Sequence, residues 1–294
     1  MKGLATAFKE VYADLFKEYG YKKVKGRYPY YVRVINDEVV HMLTISSRPT
    51  PYRETKAFAI YGGIATTYRH NINFERPVTR NWNWFVSNDE LYCKDHPYED
   101  YTKIREKWID FTYRTDDEES MIEMLRYSLE VTKEVMIPVF EEVNSLESSY
   151  NFFEKYDASM LNVHVGEKNG ILYSSFEYGE GMLNFLLFNS EQYIESQNQR
   201  TVKNREKENK QFELGILKYS QELREKMRKD GEKFIGIQIK SFTSMRDNPV
   251  EYTEVLEEAK RRKVHNIEIL RGYGLDVGGN DNESNLFSRL YFKK

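Results

Sequence analysis

The chain has 294 residues and a mass of 35.1 kDa, with 40% hydrophobic, 31% charged and 15% aromatic residues and a mean hydropathy of −0.73. It is too polar for a membrane-embedded protein and too aromatic for a disordered one. Lys and Arg total 44 against 47 Asp and Glu, so the net charge of −3 points to no nucleic-acid partner, and the single cysteine excludes an intramolecular disulfide.

Charge is uneven along the chain. Residues 1–88 carry 14 Lys/Arg and 7 Asp/Glu, whereas residues 89–198 carry 9 and 24. Such a chain either presents two differently charged faces or folds its acidic middle against its basic start. Near the start, Lys9, Glu10, Asp14, Lys17 and Glu18 interrupt any apolar leader core. The longest apolar run, residues 181–188, is far short of the roughly 18–20 residues a bilayer span needs. With Cys93 as a free thiol, the expected compartment is the reducing cytoplasm, and no membrane partner is expected.

Leu4, Phe8, Val11, Tyr12, Leu15, Phe16 and Tyr19 recur at spacings of three and four and predict a helix that Gly20 stops. Strand chemistry follows. Tyr28 to Ile35, Glu38 to Ser46 and Lys56 to Thr67 are rich in aromatic and β-branched residues, with Asn36-Asp37 as the first turn. These three runs predict an antiparallel meander, and Gly62-Gly63 in the third marks a bulge or a close backbone approach. Residues 70–100 fit no periodic template and carry Trp82, Trp84 and Phe85. Thr115 with Glu118 three residues on reads as a capping box for a helix bearing Met121, Leu125, Leu129, Thr132, Met136, Val139 and Val143, kinked by Pro138. Ser145 is placed to cap the next short helix.

The order of that first half resembles a known family. A helix with Phe8 and Leu15, then Tyr19-Gly-Tyr-Lys-Lys23, an aromatic strand, a strand end at Gly63-Ile64, and a late helix near Ile137-Pro138 followed by Asn144-Ser-Leu-Glu147 together resemble a widespread bacterial domain of unknown function, number four thousand three hundred and four. The resemblance covers roughly residues 1–155. It departs at Tyr21, where that family has phenylalanine. It implies an α+β fold and carries no catalytic residues over to this chain.

The second half reads as a hairpin from Leu161 to Tyr178 around Asn169-Gly170, a helix from Phe212 to Met227, and a strand at Ile235, Ile237 and Ile239. A helix starting at Asn248-Pro249 should reach about Lys263, with a strand at Val264 to Leu270 after it. The fold class expected is α+β: an antiparallel meander flanked by helices over residues 1–158, then a more helical α/β region over 159–294 that is either a separate domain or part of the same globule.

Catalytic constellations are incomplete in the sequence. Of the five histidines, His41, His70, His96, His164 and His265, no two lie within eight residues of each other, so the helical zinc spacings are absent. His41 reads as a hydrogen-bonded core histidine. Cys93-x-x-His96 supplies two ligands where a structural zinc takes four. No phosphate loop or serine-nucleophile elbow occurs. Asp116 to Glu119 fit the first turn of a helix, and Lys260 to Lys263 fit the last turn of one, where each sign complements the helix dipole. Gln238-x-Lys240, read on a strand, is similar to the end of a restriction-type nuclease core but has glutamine at the acidic position.

The function expected is therefore a non-enzymatic protein-binding module, with no metal and no cofactor, whose partner is another protein. Its recognition residues are expected at Trp82, Trp84 and Phe85, since loops on a rigid scaffold concentrate binding residues. Two alternatives stay open: a divalent-metal hydrolase or nuclease with dispersed carboxylates, and a nucleic-acid binder using the basic terminal regions.

Overall fold

A computed structural model describes residues 3–50, 53–69, 72–74, 82, 84–88, 111–155, 163–168, 171–176 and 220–278, with isolated positions between 194 and 213. The chain divides into two compact units. Unit 1 is Met1–Ser149 with Arg262–Glu283, and unit 2 is Tyr150–Arg261 with Ser284–Lys294. The first unit is thus built from two separate stretches of chain, which a single cut near residue 158 does not express.

Unit 1 opens with the amphipathic stripe already evident in the sequence, split at Tyr12 into α1 (Leu4–Val11) and α2 (Ala13–Glu18). Gly20 ends it with φ +70°, and the Tyr21 N–H donates back to the Phe16 carbonyl at 2.8 Å, a glycine C-cap. A sheet follows in the order β1 (Lys22–Val24), β2 (Tyr30–Ile35), β3 (Val39–Arg48), β4 (Thr55–Thr66) and β5 (Trp84–Ser87), with β6 (Phe111–Arg114) also on β4. All pairings are antiparallel. Asn36 and Asp37 turn β2 into β3 with φ of 51° and 53°, the double left-handed geometry that matches strand twist. Strand β4 is long enough to carry β5 at Tyr61–Ile64 and β6 at Thr55–Phe58 along the same edge.

Each face of this sheet has its own cover. On the first, Phe16 stacks on Tyr31 at 3.8 Å, Phe8 meets the same ring edge-on, and Met121 and Leu125 of α3 (Glu118–Val135) are fully buried. Met136 separates α3 from α4 (Ile137–Glu142), where Pro138 sits in the first turn and needs no N–H partner. On the second face, Val32, Val40, Met42 and Ala65 pack with Ile72, Phe74, Trp82 and the returning Leu270, Leu275 and Val277. The paired glycines of β4 serve both covers. A Cβ at Gly62 would lie 2.6 Å from the Met136 sulfur, and one at Gly63 would lie 2.8 Å from the Trp82 indole. Close approach, with no break in the β3–β4 register, explains both glycines.

Two local expectations are corrected. The N-cap of α3 is Asp117, whose carboxylate accepts from the Ser120 N–H at 3.1 Å, while Thr115 donates instead to the Glu54 carbonyl at 3.2 Å. Asp117→Ala should cost about 1 kcal/mol in urea unfolding, and Thr115→Ala less; the reverse ranking would restore Thr115 as the cap. Ser145 does cap α5 (Leu146–Lys155), accepting from the Ser148 N–H at 3.1 Å.

The other correction concerns the second half. The hairpin is present as β7 (Val163–Lys168) and β8 (Ile171–Phe176). The two short strands expected near Ile237 and Val264 are absent, because α6 runs from Gln221 to Asp247 and α7 from Pro249 to Gly272. Ile235 and Ile239 are one helical turn apart and half-buried, whereas Ile237 is 45% exposed. An apparent period of two was a helical i, i+4 pair with one apolar outlier. The fold remains α+β, with a helical C-terminal half. Among the described residues, no helix is long and apolar enough to cross a membrane.

Candidate functional site

Strand β3 is longer than its neighbour β2. Pairing with β2 runs from Val39 to Leu43 and ends as the chain reaches Pro29, which has no N–H to donate; the Thr44 hydroxyl reaches the Pro29 carbonyl at 3.4 Å. From Ile45 to Arg48, β3 still pairs with β4 on one side, while no described strand pairs with it on the other. In an antiparallel strand alternate residues direct their N–H and C=O to opposite sides. Among the described residues this stretch is therefore an edge without a second strand, with Ser47 exposed, Ser46 and Arg48 partly so and Ile45 buried.

A cleft of about 470 Å³ opens at the end of that edge, lined by Leu4, Ser47, Arg48, Lys56, Tyr113 and Met121. Five elements bring these side chains together, because α1, α3 and β4 begin here and β3 and β6 end. Leu4, Met121 and Tyr113 give an apolar wall. Burial raises the Tyr113 phenol above its ordinary pKa, so it stays protonated at neutral pH. Among the described residues, the lining contains two cations and no acid. Arg48 donates to the Ser87 hydroxyl at 3.2 Å and lies 5.8 Å from the Tyr61 ring centroid; Lys56 is exposed. The acidic residues on the approach to α3 are engaged elsewhere, Asp116 with Arg114 at 3.3 Å and Asp117 with the Ser120 N–H.

The sequence-derived recognition residues lie elsewhere. Trp82 is only 7% exposed and belongs to the core of the second sheet face, against Phe74 and Gly63. It is a plug under the sheet and lacks the exposure a docking anchor requires. Trp84 is a residue of β5 opposite Ile64. Phe85 is half-buried and stacks on Tyr61 at 4.9 Å with the rings 4° from parallel. The cleft was missed because its signal is spread over residues 4, 48, 56, 113 and 121, with no local motif.

His41 is fully buried, with both ring nitrogens occupied: Nδ1 accepts from Arg33 Nε at 3.1 Å, and Nε2 donates to the Val143 carbonyl at 2.7 Å. Its ring also stacks on Phe140 at 4.8 Å. Burial, then the neighbouring Arg33 charge, pushes its pKa down to about 3. A second buried network escaped sequence reasoning. The Tyr12 hydroxyl lies 2.9 Å from Ser128 Oγ and 3.1 Å from Thr132 Oγ1, and Asn88 donates to Thr132 at 3.3 Å. Thr132 looked apolar by position, since a threonine on a helical stripe gives no sign that its hydroxyl has a distant partner.

Gln238 lies on helix α6, so the strand geometry behind the nuclease analogy is absent. Lys260 to Lys263 are mid-helix in α7 and do not complement its last turn. Lys260 pairs with Glu257 and Arg261 with Glu258, at 3.1 and 2.9 Å, while Lys263 is buried against Asp37 at 3.1 Å. Among the described residues, no three His, Cys, Asp or Glu side chains converge as a metal-binding group. His70, Cys93 and His96 lie outside the described residues. No family model, curated protein or solved structure matches the chain.

Proposed function

We propose that this chain is a non-enzymatic, cytoplasmic binding protein that takes an extended segment of another polypeptide as an added strand on β3. The observation that carries this reading is the stretch Ile45–Arg48, which among the described residues is paired on one side only. Strand addition uses main-chain hydrogen bonds for affinity and flanking pockets for selectivity, and the cleft stands beside this edge. The burial of His41 adds support, because a histidine with both nitrogens committed is not presented to a substrate. We propose alongside this reading the resemblance of residues 1–155 to the bacterial domain family, which rests on the sequence motifs alone.

The test is selection of short peptides from a random displayed library on the full chain, followed by hydrogen exchange of the complex. Slowed exchange at Ile45–Arg48 is the expected result. Protection confined to the long helices, or no peptide selected at all, would overturn strand addition.

A further inference from the structure

Residues 19–35 carry five Lys/Arg and no Asp/Glu, although the whole chain has a net charge of −3. Arg33 is committed inward, donating to His41 and to the Tyr19 carbonyl. The other four, Lys22, Lys23, Lys25 and Arg27, are exposed, and among the described residues none of them is in an ion pair. Lysines on an edge strand deter unwanted pairing, which accounts for Lys22 and Lys23 on β1. It does not account for Lys25 and Arg27, which lie beyond that strand on the turn into β2. The turn is held from beneath. The Arg27 N–H donates to the Phe74 carbonyl at 3.3 Å, and a Cβ at Gly26 would lie 2.7 Å from the same oxygen. Tyr28 is half-buried: it packs on the core of the second sheet face and meets Tyr30 edge-on at 5.9 Å, while the Arg27 guanidinium lies 5.8 Å from its ring centroid. Tyr273 is half-buried on the same core and meets Phe74 edge-on at 5.0 Å.

We propose that this surface binds single-stranded nucleic acid, its cations taking phosphates and the Arg27–Tyr28 pair taking a base. Unpaired bases are held by stacking on aromatic rings and guanidinium planes, and a cationic track beside such a platform follows the backbone. A duplex keeps its base faces covered and cannot use the platform. A lipid surface takes apolar side chains that insert beside the cations, and none of the exposed large apolar residues among the described ones lies on this connection. An acidic polypeptide would neutralise the cations and leave the arginine–tyrosine pair unused. The net charge of the chain averages this patch away, which is why composition alone points to no nucleic-acid partner. The proposal rests on the β1–β2 connection and not on strand addition at β3, so either can fail alone.

Fluorescence polarisation of the full chain with a fluorescein-labelled oligothymidylate of about fifteen nucleotides, within the size range of single-strand sites, tests this. Binding is expected at about 50 mM salt, weakening as salt rises with a log–log slope of about −3, the value for four phosphate contacts on a single strand. Changing Lys25 and Arg27 together to glutamine should roughly halve that slope. Tyr28→Leu should weaken binding about fivefold or more and leave the slope unchanged. Lys25 and Arg27 are exposed, and an unchanged tryptophan-fluorescence melt would verify that each variant folds. Should Tyr28→Leu unfold, a labelled duplex of the same length takes its place, with weaker binding than the single strand expected. No binding, an unchanged slope in the glutamine variant, full affinity in a folded Tyr28→Leu chain, or a duplex bound as tightly as the single strand would each overturn the proposal. Capture of phosphatidylserine vesicles without oligonucleotide binding would assign the surface to a lipid instead. Polyaspartate competing as well as unlabelled oligothymidylate would assign it to an acidic polypeptide, and both results overturn it too.

Discussion

Lowering the pH from 7 to 4 should remove about 3 kcal/mol of stability from unit 1 through His41 alone. The folded ring has its pKa pushed down to about 3, and the unfolded chain returns it to the ordinary value of 6.5. A base held neutral by the fold contributes stability that is complete above pH 6.5 and is lost as the pH falls toward the folded value, because the unfolded state takes up the proton first. The geometry gives the reason. Arg33 donates into Nδ1, so protonating that nitrogen would set N–H against N–H beside a guanidinium, in a site without water access. Glu38 works in the opposite direction. Burial raises its pKa, so its contribution falls as the pH rises through that raised value, and it offsets part of the loss on acidification. Urea unfolding at the two pH values is followed by tryptophan fluorescence, which reports from the first 149 residues, where Trp82, Trp84 and Trp108 all lie in the sequence. His41→Gln should flatten the difference between the two pH values. The same acid loss in the variant would assign the effect to another group.

Trp82→Ala is expected to destabilise unit 1 by about 3–5 kcal/mol, the range for emptying a large aromatic from a core. The indole fills the space that Gly63 leaves open and touches Phe74, so the cavity would lie beneath the middle of β4 with rigid backbone on one side. Backbone in a paired sheet collapses poorly, which favours the upper part of that range. Trp82→Phe should restore much of the loss. Peptides that bind the β3 edge should bind the alanine variant normally below its unfolding temperature. A melting temperature within a degree or two of the parent, together with lost peptide binding, would return Trp82 to the role of a recognition residue.

These two residues show where the sequence was readable. The β2–β3 hairpin was evident because Asn36-Asp37 can adopt left-handed backbone cheaply and the flanking residues alternate. His41 was identifiable as a core residue because it alternates with Val39 and Leu43. Trp82 was ambiguous for a physical reason, since the same amphipathic ring suits a core or an interface. Strands β5 and β6 are only four residues each, too short for a period to register. Helix α6 deceived because Ile237 broke its stripe on the exposed side. What no local pattern could reveal is the pairing of Lys263 with Asp37, or of Asn266, which donates to the Thr67 and Arg69 carbonyls and accepts from the Ile72 N–H. Each joins residues almost two hundred or more positions apart, and the cleft is distributed in the same way.

The split composition of unit 1 bears on how the protein is made. The second sheet face needs Leu270, Leu275 and Val277, which follow Ser149 by more than a hundred residues. At about 5–20 residues per second, a ribosome takes on the order of ten seconds to supply them. Throughout that interval the nascent chain holds a sheet whose first face has its helices while Val32, Val40, Met42 and Ala65 wait for part of their cover. Asn266 closes the gap with three hydrogen bonds when it arrives. The period of exposure during translation is therefore set by the length of the intervening unit 2, and a chaperone that binds apolar strands would find its target in that window.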